Sequence, residues 1–141
     1  MFVDASAILA ILTEEPGGEA LARALERGGE ARRITSVLAV WEAVVGLSRI
    51  RVVPLKEARE RIIEFLAAAR VDVVDVGSRE LPIALSAYDR YGRHRFPKAE
   101  RNKGLNIADC FHYACAKRHG ATLLHKDSGF ALVDLKSAGG F

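Results

Sequence analysis

Four acids stand where apolar residues would be expected. Asp4 comes straight after the apolar start of MFVDASAILAIL, and the chain turns apolar again at once. Glu42 interrupts VLAVWEAVVGL, a segment apolar on nearly every side. Asp109 lies three residues after Asn106, at the head of IADCFHYACAKRH, and Asp127 follows ATLLH in the turn HKDSGF. Each has an ordinary structural reading. Asp4 can cap a helix, and Asp109 in a first turn complements the helix dipole and can reach back to its cap. Asp127 suits a turn of Asp, Ser and Gly. Glu42 would need a cation, with Arg49 at the end of the same segment as the nearest choice, and Gly46 one turn on would leave open space beside its carboxylate.

Together the four point to other chemistry. Four carboxylates in one cleft repel; two unit charges about 4 Å apart cost roughly 4 kcal/mol at an effective dielectric of 20. No His-Cys cluster suggests a softer metal. A hard divalent cation with oxygen ligands, Mg²⁺ or Mn²⁺, relieves that repulsion. Such an ion binds phosphate oxygens and activates water for attack on a phosphodiester.

The elements that must bring these acids together follow from pattern. MFV, ARRIT, VDVVDV and ATLLH read as short buried strands, with FALVDL as a possible further one. Helical patterns fill ASAILAILT, GGEALARALERGG (closed by Gly28 and Gly29), VLAVWEAVVGLSRI behind Ser36, and PLKEARERIIEFLAAAR with Pro54 at its first turn. Ser78 is positioned to cap SRELPIALSAYDRY, and Asn106 to cap the helix carrying Asp109. Short apolar strands alternating with helices predict a parallel sheet covered on both faces. Ligands in such sheets bind at the carboxyl ends of the strands, where Asp4 and Asp127 fall.

A chain of 141 residues, half of them hydrophobic, reads as one domain over 1–141 with room for a core. Cys110 and Cys115 lie on different faces of one helix and cannot pair there, which suits a reducing cytoplasm. No signal peptide and no apolar run of spanning length is read, so no membrane is expected. The net charge of +3 is mild support for a polyanionic partner.

FVDASAILAIL, VWEAVVGLSRI, AYDRYG, LNIADCFHYACAKRHGATLLHKD and FALVDL together resemble the PIN-domain ribonucleases, and within them the VapC toxins of toxin–antitoxin pairs. The resemblance runs over nearly the whole chain, and LN-x-x-DC-F-x-YA-x-AK is its most specific part. It implies a PIN-like three-layer α/β/α fold with a short parallel central sheet. It implies Asp4, Glu42 and Asp109 as metal-site acids, with Asp127 as a fourth in a turn where the family carries Asp, Asn or Gly. Ser6 falls where the family has Ser or Thr beside the first acid, able to bond that carboxylate or a metal water. Two departures stand out. Ala108 replaces the usual Gly before the third acid, and the normally short, Gly-rich link to Leu105-Asn106 is here a longer basic run, HRFPKAERNKG. Arg93, Arg95, Lys98, Arg101 and Lys103 in that run make either a solvated loop or a phosphate-contacting arm.

The implied activity is metal-dependent cleavage of RNA, leaving 5′-phosphate and 3′-hydroxyl ends, without a histidine base. His112, His119 and His125 read as packing, solvated or capping residues. The implied partners are an RNA substrate, a cognate antitoxin and a second copy in a homodimer; AILAIL and the helix at 55–69 are surfaces that either partner or the core could take. Two rivals are weighed. An aspartate-based phosphotransferase or phosphatase also begins with a strand ending in Asp, but requires a second acid where Ser6 stands. A catalytically silent RNA-binding module predicts loss of the acids, and the first three are all present.

Overall fold

The computed structural model describes residues 1–29 and 31–138. Four parallel strands, β1 (Phe2–Val3), β2 (Arg33–Ser36), β3 (Val71–Val74) and β4 (Leu123–Leu124), form one sheet in the order β3-β2-β1-β4. β1 sits between β2 and β4, with Phe2 opposite both Ile34 and Leu123. Phe2, Val3, Leu123 and Leu124 are fully buried, so two residues of β-structure per strand suffice where both faces are covered. The buried Thr35 hydroxyl donates to the Val3 carbonyl at 2.8 Å and stitches β2 to β1.

Six helices cover the sheet in a helix–sheet–helix arrangement: α1 (Ala5–Leu12), α2 (Gly18–Arg27), α3 (Val37–Arg51), α4 (Leu55–Ala68), α5 (Leu81–Tyr91) and α6 (Ile107–Arg118). The expected caps at Asp4, Ser36 and Asn106 all form. α1 ends in a Schellman motif: Glu14 takes a left-handed φ of 55°, and the Glu15 N–H donates back to the Ala10 carbonyl at 3.0 Å. Glycine is usual at such a position, and a side chain there costs on the order of 1 kcal/mol. The motif turns the chain sharply enough that Gly18 meets the Ala10 carbonyl; a Cβ at Gly18 would lie 2.2 Å from that oxygen.

α5 and α6 pack antiparallel. Glu80, buried at the start of α5, pairs with Arg118 at the end of α6, and Gly92 after α5 bridges to Leu105 just before α6. α6 therefore runs down to β4 from the carboxyl edge of the sheet, and its first turn, with Asp109, lies at that edge. Between α5 and α6 the basic run forms two 3₁₀ turns, Arg93–Arg95 and Lys98–Lys103, instead of an open loop.

Several local expectations are corrected. Ser78 caps nothing; Glu80 occupies the N-cap, and its carboxylate accepts the Gly77 N–H at 2.7 Å. FALVDL is not a strand. Asp127 caps a 3₁₀ turn, Ser128–Leu132, and strand-like pairing with Leu123 comes only at Lys136 and Ala138. α3 is not buried all round, since Val37, Trp41 and Ile50 are exposed. Gly46 does not open space beside Glu42: a Cβ there would lie 2.6 Å from Leu9 Cδ1, so the glycine is where α1 and α3 close on each other. In AILAIL, Ala7, Ile8 and Ala10 are buried, which makes that segment core.

Candidate active site

Asp4 is both a cap and more than a cap. Its Oδ2 accepts the Ser6 N–H at 3.0 Å and the Ser6 hydroxyl at 2.5 Å. The Ser6 oxygen in turn accepts the backbone N–H groups of Lys126 at 3.0 Å and Asp127 at 3.3 Å. One hydroxyl thus locks the carboxylate at the end of β1 to the turn that follows β4. The Ser6 hydroxyl thus bonds the Asp4 carboxylate. Asp127 is held within that turn, its Oδ1 accepting the Gly129 N–H at 2.8 Å.

Asp109 completes a capping box with Asn106. Its Oδ2 accepts the Asn106 N–H at 2.8 Å, and its own N–H donates to Asn106 Oδ1 at 2.9 Å. The structural role is real, but it does not quiet the carboxylate. Burial drives the Asp109 pKa up to about 6; the Asn106 bond works against this, and the nearby charges of Asp4 and Asp127 add to it. Asp109 therefore stands at the carboxyl edge within reach of the charges of Asp4 and Asp127.

The other oxygen of Asp4 faces His112, which lies one turn beyond Asp109 on the same face of α6. His112 is 1 % exposed. Its Nδ1 is 2.7 Å from Asp4 Oδ1 and its Nε2 is 3.1 Å from Glu42 Oε2. These are ion-pair separations whose angles fall outside hydrogen-bond geometry. Burial would favour neutral imidazole, but the two carboxylates outweigh it and raise the His112 pKa to about 10. In the same balance the imidazolium, with Ser6, lowers Asp4 against the effect of its own burial. The cation that answers Glu42 is His112 and not Arg49. His112 does pack, with its ring 5.7 Å from that of Phe2, but it packs between two acids. The sequence signal was its position three residues after Asp109, inside a helix otherwise apolar on that face.

His119 and His125 make local contacts that involve none of the four carboxylates. His119 caps α6. His125 contacts the Asp127 carbonyl at 2.9 Å and the Ser137 hydroxyl at 2.8 Å. Cys110 and Cys115 are buried and unpaired. Arg93, Arg95, Lys98, Arg101 and Lys103 are all exposed. Their segment packs beside the Asp127 turn, where the Ser128 hydroxyl donates to the Asn102 carbonyl at 3.3 Å.

Comparison with known proteins places the chain in a family. The PIN domain family model matches residues 1–136. A VapC ribonuclease of Rhizobium meliloti is 38 % identical over 144 residues, covering 95 % of this chain and 98 % of that protein. A ribonuclease VapC of Mycolicibacterium smegmatis is 35 % identical over 135 residues, covering 96 % and 97 %. The crystal structure of Mycobacterium tuberculosis VapC20, described as a sarcin-ricin loop cleaving toxin, superposes with a TM-score of 0.66 over 95 % of both chains at 16 % identity, a likeness of fold. The chain belongs to the PIN-domain family and, within it, to the VapC-type endoribonuclease toxins.

PIN-domain ribonucleases are generally dependent on divalent metal. The donors here fit such an ion in kind, since all are carboxylate oxygens. Among the described residues no three acid, histidine or cysteine side chains already converge as a metal site. His112 takes up the facing oxygens of Asp4 and Glu42.

Two outcomes follow. Because the Asp109 pKa is raised from its unfolded value of 3.8 to about 6, the folded state holds a proton that the unfolded state has released. Stability is therefore lost as pH rises through that window. Asp109→Asn in EDTA should melt higher than wild type at pH 7–8, by on the order of 1–3 kcal/mol, with the gap closing near pH 4; a lower melting temperature at both pH values would leave only the capping role. His112→Ala should cost roughly 3–5 kcal/mol in EDTA by stranding buried carboxylates. Added Mg²⁺ or Mn²⁺ should recover part of that loss in melting experiments.

Proposed function

We propose that this chain is a single-domain, divalent-metal-dependent endoribonuclease in which Asp4, Glu42, Asp109 and Asp127 hold Mg²⁺ or Mn²⁺. The observation that carries this reading is Asp109, buried at the edge of the sheet beside Asp4 and the Asp127 turn, with its pKa raised to about 6 by that burial and by the charges of those two acids. Carboxylates so placed are stabilised by a cation. When bound, such an ion supplies charge that polarises the phosphodiester and acidifies water.

The protein's own residues supply placement. Ser6 holds Asp4 against the Asp127 turn, so the acids that follow the paired strands β1 and β4 keep one spacing. The capping box leaves one oxygen of Asp109 for the cleft. His112 sets Asp4 and Glu42 on either side of one ring and offers no base, because both of its nitrogens face acids. The exposed basic residues 93–103 extend from the Asp127 turn and give the RNA backbone cationic contacts. The chain works with a cognate antitoxin that covers the cleft, and as a homodimer. This reading rests on its kinship with VapC proteins, and oligomeric state in solution tests the dimer.

Purified protein freed of antitoxin should cleave single-stranded or looped RNA with Mg²⁺ or Mn²⁺ and stop in EDTA, with Asp4→Asn and Asp109→Asn inactive yet folded. Full cleavage in EDTA would overturn the metal mechanism. For the basic run, Arg101→Ala with Lys103→Ala should weaken RNA binding about equally for all sequences. The salt slope of log K should fall by roughly 1–1.5 while the cleavage positions stay put. An unchanged slope would make the run a solvated surface.

A further inference from the structure

Beside the acids, and sharing Ser6 and Asp127 with them, a groove is lined by Ser6, Leu9, Glu15, Lys126 and Asp127. Its one lysine is Lys126, which no pattern in the sequence singles out. The Lys126 backbone N–H is tied to Ser6, and so indirectly to the Asp4 carboxylate. Its ammonium is 2.5 Å from Glu15 Oε2. Both side chains are more than a third exposed. Glu15 is aimed there by the backbone. The left-handed Glu14 and the Glu15 N–H bond to Ala10 set the turn, and the Thr13 hydroxyl holds the other Glu15 oxygen at 3.1 Å.

A solvent-exposed pair of this kind contributes little to folding. The left-handed stop at Glu14, of the kind that also ends α3 at Val52 and α4 at Arg70, nevertheless sets the acid beside the lysine. The arrangement is better explained by what the lysine does when the acid leaves. A phosphodiester is the anion that must lie along this edge if the acids cleave RNA. A carboxylate on Lys126 occupies the place such a phosphate would take.

We propose that Lys126 binds a non-scissile phosphate of the RNA next to the cleavage site and that Glu15 is its built-in competitor, holding the lysine in the free enzyme and yielding it to the RNA backbone. The inference rests on the endoribonuclease reading. It adds a binding residue and an exchange step to the same site. No covalent step is involved: one ion pair replaces another, and a monovalent cation from solution can neutralise the released carboxylate.

The test is the binding of a fluorescently labelled single-stranded RNA to the full chain in EDTA, followed by anisotropy across a series of KCl concentrations. Lys126→Ala should weaken binding about threefold to tenfold and lower the salt slope of log K by about 0.7, the contribution of one contact to a single strand. Lys126→Arg should retain both. Glu15→Gln should tighten binding by a similar factor at low salt, and this gain should vanish when Lys126 is already Ala. Melting curves of each variant should stay within a few degrees of wild type. If Glu15→Gln tightens binding equally with and without Lys126, Glu15 acts only through general repulsion and the exchange is refuted. Unchanged affinity and slope in Lys126→Ala, in a protein whose wild type binds and cleaves RNA, would overturn this inference alone. A wild type that neither binds RNA in EDTA nor cleaves it with Mg²⁺ would overturn the ribonuclease reading and the inference with it. Should Lys126→Ala leave RNA binding intact but weaken inhibition by the antitoxin, the lysine serves the protein partner and the proposal is wrong.

Discussion

A carboxylate buried at the end of the central strand is the constraint around which this molecule is arranged. Asp4 is 3 % exposed, and an ion so placed needs donors or a counter-charge on every side. One oxygen is served locally, by the helix it caps and by Ser6. The other is served across the fold, by a histidine more than a hundred residues later. Each solution recruits a different element: Ser6 brings in the turn after β4, and His112 brings in α6 and, through its far nitrogen, Glu42 on α3. The acids are gathered by the demands of one charge as much as by the backbone that carries them.

The same logic separates parts that hold the fold from parts left open to work. Ion pairs away from the edge close on themselves. Arg118 meets buried Glu80, and Lys117 and Tyr113 both meet Asp134, tying the segment after the last 3₁₀ turn onto α6. Arg33 donates to the Ala69 carbonyl at 2.8 Å, at the C-terminal end of α4, where a cation complements the helix dipole. At the carboxyl edge, by contrast, Asp109 remains above its ordinary range. An acid kept partly protonated by burial and by neighbouring acids, at the strand ends, is the mark of a ligand-binding edge.

Much of this was legible in the sequence, because the signals were local. Strand runs, the caps at Ser36 and Asn106, and Asp4 and Asp127 at strand ends are all read within a few residues of themselves. What escaped was long-range. Arg49 was the natural partner for Glu42 along its own helix, yet the structure supplies His112 from α6. Gly46 read as room beside an acid, but only the approach of Leu9 from α1 reveals that it is a contact. Ser78 lost its cap to Glu80 because Glu80 also serves Arg118, from the far end of the neighbouring helix. FALVDL carries a strand's composition, but Asp127 and Gly129 begin a tight turn that consumes its first residues. Lys126 looked like one more surface lysine until the Schellman turn showed which acid it faces.

The strand order has a consequence for how the chain comes into being. β1 lies between β2 and β4, and of these four strands β1 is made before and β4 after the others. Phe2 and Val3 must therefore wait for Leu123 and Leu124 before the middle of the sheet can close. Of the four acids, two come from the first third of the chain and two from α6 and the turn after β4. A nascent chain lacking its last few dozen residues has Asp4 and Glu42 but neither Asp109 nor Asp127, and β1 still has one edge unpaired. The topology thus makes the meeting of these four acids a late step, one that waits on Leu123 and Leu124.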